Sequence, residues 1–361
     1  MIFGSSGDFP SKAIRHGIID HQKRKAHEIA SASDHMLQSG QKMRPSVSII
    51  GAGRVGTALG LALKAANYRV EIVVTRHRVS ARRAATLIGP QTVGLAEAQL
   101  DRLSRSQVAS FNRASLIIIA TPDDSIAPLT KRLATVFSFK SIGLARREKS
   151  TPTVALHTSG ALSSEVLKPL RKLGFAIGSL HPLLSISDPK SGAVLFSRAF
   201  FSVEGDARAV RLARSTVHNL GGQTFSIPAD AKALYHAAAL TASPNIIALF
   251  DIALEMLSSC GLSRGRAQQV LLPLVESTLA NLKLQDPRRA LTGPFKRGDA
   301  ATIRKHIAAM KSANLHDALA AYALLGRRSL ALAKNQQTKP SHYEAIARIL
   351  SGLVDDEKSP R

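Results

Sequence analysis

From residue 45 onward, short apolar runs of strand length alternate with stretches whose apolar residues recur at helical spacing. "SVSII" (46–50) reads as the first strand, and a helix to about Ala66 follows it across a glycine-rich turn. "YRVEIVVT" (68–75), "SLIIIA" (115–120) and "TVALH" (153–157) read as further strands, and "FAIGSLH" (175–181), "AFFSVEG" (199–205) and "GQTFSIP" (222–228) extend the sheet. Such alternation is the signature of an α/β domain, a doubly wound, mostly parallel sheet covered by helices. After Pro228 the period is almost wholly helical, so a smaller all-helical domain is expected over 229–355, with the boundary near residue 228. Within it Pro244 should kink the long helix that starts at Ala229, turning Asn245 toward the same side as the residues before it.

Residues 1–44 lack sustained apolar periodicity and read as a loose tail, or as a start placed too early, since Met43 lies just before the first strand. Four acidic residues, Asp8, Asp20, Glu28 and Asp34, argue against a basic transit peptide. No run of about 18 apolar residues free of charge is evident, so no membrane span is expected.

Composition narrows the picture little further. The 361 residues are 45% hydrophobic and 20% charged, the balance of a globular chain. The one cysteine, Cys260, can form no internal disulfide, which suits a reducing, cytoplasmic setting. A net charge of +24 raises nucleic-acid binding. The charge is spread along the chain, however, and aromatic residues are 4% with no Trp, so stacking platforms are few. A solvated basic surface is the plainer reading.

The turn after the first strand changes the picture more. In "GAGRVGTAL", Gly51, Gly53 and Gly56 follow an apolar strand and open a helix, as in dinucleotide-binding turns. Gly51 serves the tight turn, Gly53 the approach of a pyrophosphate and Gly56 close helix packing. The amides of Arg54 and Val55 would face the phosphates. At the end of the second strand, where a carboxylate would hold the adenosine ribose of NAD, the chain has "TRHR" (75–78), and Glu71 comes too early. Arg76 and Arg78 suit a 2′-phosphate, so NADP(H) is the expected cofactor; the alternative is two ordinary surface arginines.

Further chemistry gathers at later strand ends. Thr121 and Pro122 of "ATPDDSI" are expected along the nicotinamide ribose, with Asp123 and Asp124 read as helix caps. His157 and Ser159 in "LHTSG" and His181 in "LHPLLS" sit where strands become loops, and are candidates for the pocket. Lys232, His236, Ala239 and Ser243 share one helical face. The competing reading is a core helix whose Lys232 reaches solvent.

Taken in order, "GAGRVGTAL", "ATPDDSI", "HTSGAL", "HPL", "YHAAALTASPN" and "LTGPFKRGD" resemble the predicted oxidoreductases that join a Rossmann-like domain to a helical C-terminal domain of long-unknown function. That family is similar in architecture to the 6-phosphogluconate dehydrogenase-like superfamily, which includes pyrroline-5-carboxylate and ketopantoate reductases. Some members are regarded as an alternative class of ketopantoate reductase. The resemblance covers about residues 45–320, and the basic charge and the tail depart from it. It implies hydride transfer from NADPH to a small carboxylate-bearing keto or imino acid, with Lys232 as first and His236 as second choice of proton donor. Ser159, Ser243 and Asn245 would position the substrate, and a homodimer through the helical domain is implied. Arg297 would hold the substrate carboxylate, or else pair with Asp299 to fix its loop. Two other classes compete: a non-catalytic NADP(H)-binding sensor, and a nucleic-acid-associated protein.

Overall fold

The computed structural model describes residues 44–142, 152–333 and 340–358, so the expected tail lies outside the described residues up to residue 43. By its internal contacts the chain divides into two units, the first ending at Tyr235 and the second starting at His236.

The first unit is built on eight strands: β1 (Val47–Ile50), β2 (Val70–Thr75), β3 (Val93–Ala96), β4 (Leu116–Ile119), β5 (Val154–His157), β6 (Ala176–Pro182), β7 (Phe200–Gly205) and β8 (Gln223–Phe225). They form one sheet in the order β3-β2-β1-β4-β5-β6-β7-β8. Every pairing is parallel except β6 with β7, which is antiparallel. β1 and β4 are buried at every position, because a parallel sheet is covered on both faces and its strands must be apolar on both. Helices α1 (Arg54–Ala65), α2 (Arg78–Ile88), α3 (Arg105–Arg113), α4 (Asp123–Phe139), α5 (Pro189–Leu195) and α6 (Ala207–Asn219) supply the cover. One core gathers Val47, Ile49, Leu59, Leu63, Leu180 and Phe201, and the other Ile50, Ile117, Ile119, Phe137 and Ile177. The alternation of strand side chains thus sends neighbours to opposite layers.

β3 carries no apolar run that marks it in the sequence. Its exposed Val93 and half-buried Gly94 fit an edge strand, and Gly94 is required there because a Cβ would lie 2.5 Å from the Ala81 carbonyl oxygen.

Helix α7 (Lys232–Ala242) crosses from the first unit into the second. Its opening turn belongs with the sheet because Lys232 and Tyr235 hydrogen-bond to β6. The expected kink at Pro244 is instead a full break. Ser243, at φ −131° and ψ −82°, is not helical, and Pro244 begins a new helix, α8 (Pro244–Ser259), where its missing N–H costs nothing.

The second unit continues with α9 (Arg264–Leu284), α10 (Ala300–Ser312), α11 (His316–Ala333) and α12 (Pro340–Lys358). Ile303, Ile307 and Met310 of α10 pack with Leu330 and Ala333 of α11 and Tyr343, Ile346 and Leu350 of α12. By contrast α8 buries only Leu254 and α9 only Ala267. One stretch, Ala229–Ser259, is long and apolar enough to cross a membrane by length and composition, with a mean hydropathy of 1.6. The sequence-based expectation overlooked it because His236, Thr241, Ser243 and Asn245 interrupt the apolar run without charging it.

Candidate functional site

The turn between β1 and α1 is shaped by its glycines. Gly51 has φ +98°, and a Cβ there would sit 2.5 Å from the Ala120 carbonyl carbon, at the end of β4. A Cβ on Gly56 would lie 2.4 Å from Gly51 O, so helix and turn close on each other only without side chains. Gly53 is different: nothing lies within 4 Å of its Cβ position, and the residue is exposed. The Thr57 amide donates to Gly53 O at 2.9 Å, leaving the amides of Arg54, Val55 and Gly56 at the open end of α1, whose first turn holds no acidic residue. Beside the turn, the Thr121 hydroxyl is buried with no hydrogen-bond partner among the described residues. Open space above Gly53, helix amides and a spare hydroxyl fit a dinucleotide's phosphates and ribose. Pro122 caps the start of α4 with its backbone and is exposed.

At the end of β2, Arg76 is exposed and Arg78 opens α2, also exposed. Among the described residues neither forms an ion pair with a carboxylate. Glu71, near the start of the strand, is buried and held by Arg69 and by Arg113 at 2.9 Å, so its charge is spent on the fold.

A polar cluster lies at the end of β5 and along β6. Ile119, His157, Ser179 and Glu204 stand in one row across β4, β5, β6 and β7. Lys232, 0% exposed, reaches this row from the first turn of α7. Its Nζ donates to Ser179 Oγ at 2.7 Å and to the Ser159 carbonyl at 3.5 Å. Three residues further along the helix, the Tyr235 hydroxyl meets His181 Nδ1 at 2.7 Å. Phe225 of β8 packs edge-on against the same ring. Strand positions two apart thus meet helix positions three apart. Burial pushes the Tyr235 hydroxyl up to about 12, so it stays protonated in neutral solution.

His157 is fully buried. Its Nδ1 accepts from the Ser159 amide at 3.2 Å, so Nε2 carries the proton and donates to Ser163 O at 3.1 Å. Burial, helped by the Lys232 charge, lowers its pKa to about 3. The expectation that His157 lines the pocket is corrected on this ground: both nitrogens bind the backbone of the loop that follows. Asp123 and Asp124 are also corrected. They are the first two residues of α4, whose cap is Pro122, and the Asp123 carboxylate accepts from Ser159 Oγ at 2.8 Å. Ser159 Oγ in turn accepts from the amides of Ala161 and Leu162.

The structure therefore brings Lys232, Ser159 and His181 together in the first unit. His236, Ser243, Asn245 and Arg297 belong to the second unit. His236 and Ala239 keep the helical face that starts at Lys232, whereas Ser243 leaves it where α7 ends. Asn245, on α8, and Arg297 are exposed. Arg297 ends the short helix Pro294–Arg297, and Asp299 spends its carboxylate on Thr302 N and Oγ1, at 3.0 and 2.7 Å, as the cap of α10. Ser179, Glu204 and Tyr235 are members that the sequence reading does not single out, and it takes Asp123 only for a helix cap. Ser179 is signalled only by its place two residues before His181, and Tyr235 by its place three after Lys232.

Residues 31–182 match the Rossmann-like domain, and residues 199–329 match a domain of unknown function, DUF2520. No curated protein matches the sequence. Among solved structures, a Bacteroides fragilis protein described as a candidate NADP oxidoreductase is similar at 22% identity and a TM-score of 0.62, over 80% of this chain and 99% of that one. A Thermotoga maritima protein is similar at 22% identity and a TM-score of 0.58, over 80% of this chain and 98% of its own. An imine reductase from Myxococcus stipitatus, in complex with NADP+, has 16% identity and a TM-score of 0.54, over 86% and 100%. With the sheet, the glycine turn and the helical second unit all in place, the chain is a Rossmann-like domain joined to a DUF2520 domain.

Proposed function

We propose that the protein is an NADP(H)-dependent reductase of a small carboxylate-bearing keto or imino acid, with ketopantoate as the first substrate to test. One observation carries this reading: a glycine turn with open space at Gly53, exposed arginines in place of the ribose carboxylate, and an enclosed ammonium level with the end of β5 all lie along one mostly parallel sheet. The NADP+ complex of the similarly folded imine reductase supports the choice of nucleotide.

In this reading the amides of Arg54, Val55 and Gly56 would hold the pyrophosphate, Thr121 and Pro122 would border the nicotinamide ribose, and Arg76 and Arg78 would hold the 2′-phosphate. When bound, NADPH would supply the hydride that reduces the carbonyl or imine carbon. As that carbon is reduced, its oxygen or nitrogen takes a proton from Lys232 Nζ, which exchanges a bond to Ser179 or Ser159 for the substrate and recovers its proton from solvent. Ser159, whose carbonyl already receives Lys232, orients the substrate. Assembly as a homodimer through the helical unit belongs to the same proposal.

Lys232→Ala should lower kcat by roughly 10²- to 10⁴-fold on an accepted substrate while NADPH affinity stays nearly unchanged. His236→Ala should do less. A non-catalytic NADP(H) sensor is favoured by one feature, the complete enclosure of Lys232. Tight NADPH binding without reduction of any keto acid or imine in a panel led by ketopantoate and pyrroline-5-carboxylate would decide for the sensor.

A further inference from the structure

Glu204 has no place in the chemistry described so far. Because β7 runs antiparallel to β6, Glu204 stands directly opposite Ser179, and opposed residues of such a pair project from the same face. Both of its oxygens are engaged by one residue: Oε1 accepts from the Ser164 amide at 2.5 Å and Oε2 from the Ser164 hydroxyl at 2.9 Å. Asp123 takes the other end of the same segment through Ser159 Oγ, and the carbonyl of Ser159 receives Lys232 Nζ. Two carboxylates from α4 and β7 therefore grip residues 159 and 164, and the ammonium lies against Ser159 and against Ser179, the partner of Glu204 in the sheet.

A buried ammonium without counter-charge gives up its proton, since desolvation penalises only the charged form. Burial lowers the Lys232 pKa here, and Glu204 and then Asp123 oppose it. Among the described residues, Glu204 and Asp123 are the charges that act on Lys232, and the imidazoles nearby add no negative charge. His157 of β5 is neutral with both nitrogens bonded, and His181 of β6 is paired with Tyr235 of α7.

We propose that Glu204 and Asp123 are positioning residues for Lys232: they supply the negative charge that keeps its enclosed ammonium protonated, and they fix the 159–164 segment whose Ser159 carbonyl holds it. The proposal rests on the reading of Lys232 as the proton source, but the charge state of the lysine is measurable without turnover.

The test uses the full chain labelled with 13C at lysine Cε, whose chemical shift follows protonation, with the Lys232 signal assigned by its loss in Lys232→Met. In Glu204→Gln the Lys232 midpoint should fall by about one pH unit or more. Asp123→Asn should move it the same way by less, and the double variant furthest. If Glu204 serves only as a tether, Glu204→Gln lowers the thermal midpoint and leaves the lysine midpoint in place, which overturns the proposal. Should Glu204→Gln not fold, Asp123→Asn decides alone, since it alters a half-exposed residue at a helix start, and an unmoved midpoint there overturns it equally. NADPH titrated into the same samples reports separately on the reductase reading: absent binding to the wild type counts against that reading and leaves the lysine measurement standing.

Discussion

Arg76 and Arg78 place two guanidinium groups where a ribose-binding carboxylate would repel a 2′-phosphate. Replacing both with alanine should weaken NADPH by about 10- to 100-fold, the worth of one or two charge-assisted hydrogen bonds, and NADH far less. Titration of both nucleotides checks this, and equal losses would make the arginines ordinary surface. His157 carries a second expectation. Its pKa is about 3 in the folded chain against 6.5 for a free histidine, so between those values the unfolded chain binds a proton that the folded one refuses. Stability from this residue is therefore complete above about 6.5 and falls as pH drops toward 3, by up to about 1.4 kcal/mol per unit. His157→Gln should be the less stable protein at pH 7.5 in urea unfolding, with a deficit that shrinks at pH 5. Lys232, Ser159 and His181 are legible in the sequence because strand ends and helical spacing mark them. Asp123, Ser179 and Tyr235 are not, because each is defined by a partner 36 to 54 residues away.

At the level of elements, the glycine turn separates folding from binding. Gly51→Ala puts a Cβ into the backbone of Ala120 at a positive φ, and should destabilise the protein by about 2 kcal/mol or more. Gly53→Ala meets nothing in the chain, so the thermal midpoint should stay while NADPH affinity falls, the new methyl filling the phosphate cradle. Calorimetry and nucleotide titration on the two variants should give opposite rankings. The central strands are legible because burial on both faces forces continuous apolar runs, as in "LIII" of β4. β3 is not, since an edge strand needs only one apolar position, Leu95, to hold it to the core. A proline marks the end of α7 in the sequence, but whether it kinks or breaks the helix depends on the backbone of Ser243.

For the whole molecule, the contrast between the two units is in what they leave uncovered. Ile246, Ile247 and Leu249 on α8 and Val270, Leu272, Leu274, Leu279, Leu282 and Leu284 on α9 are all exposed. Together they present on the order of 800 Å² of aliphatic surface, about what each partner gives to a standard interface, and large for a lone chain. A second copy of the chain is the proposed cover. Because each copy carries +24, association should tighten as salt screens the repulsion. Sedimentation should show a dimer that strengthens between low and high salt, and Ile247→Asp with Leu274→Asp should leave a folded monomer. The break at Ser243 has a consequence during synthesis. As residues 229–259 leave the ribosome they carry the hydropathy by which insertion machinery selects membrane segments. Split at Ser243, the stretch yields helices of 11 and 16 residues, each shorter than the roughly 20 needed to cross a bilayer. Joining them with Ser243→Leu and Pro244→Leu should raise insertion into microsomes, so the break at Ser243 opposes the membrane insertion that the composition of the stretch invites.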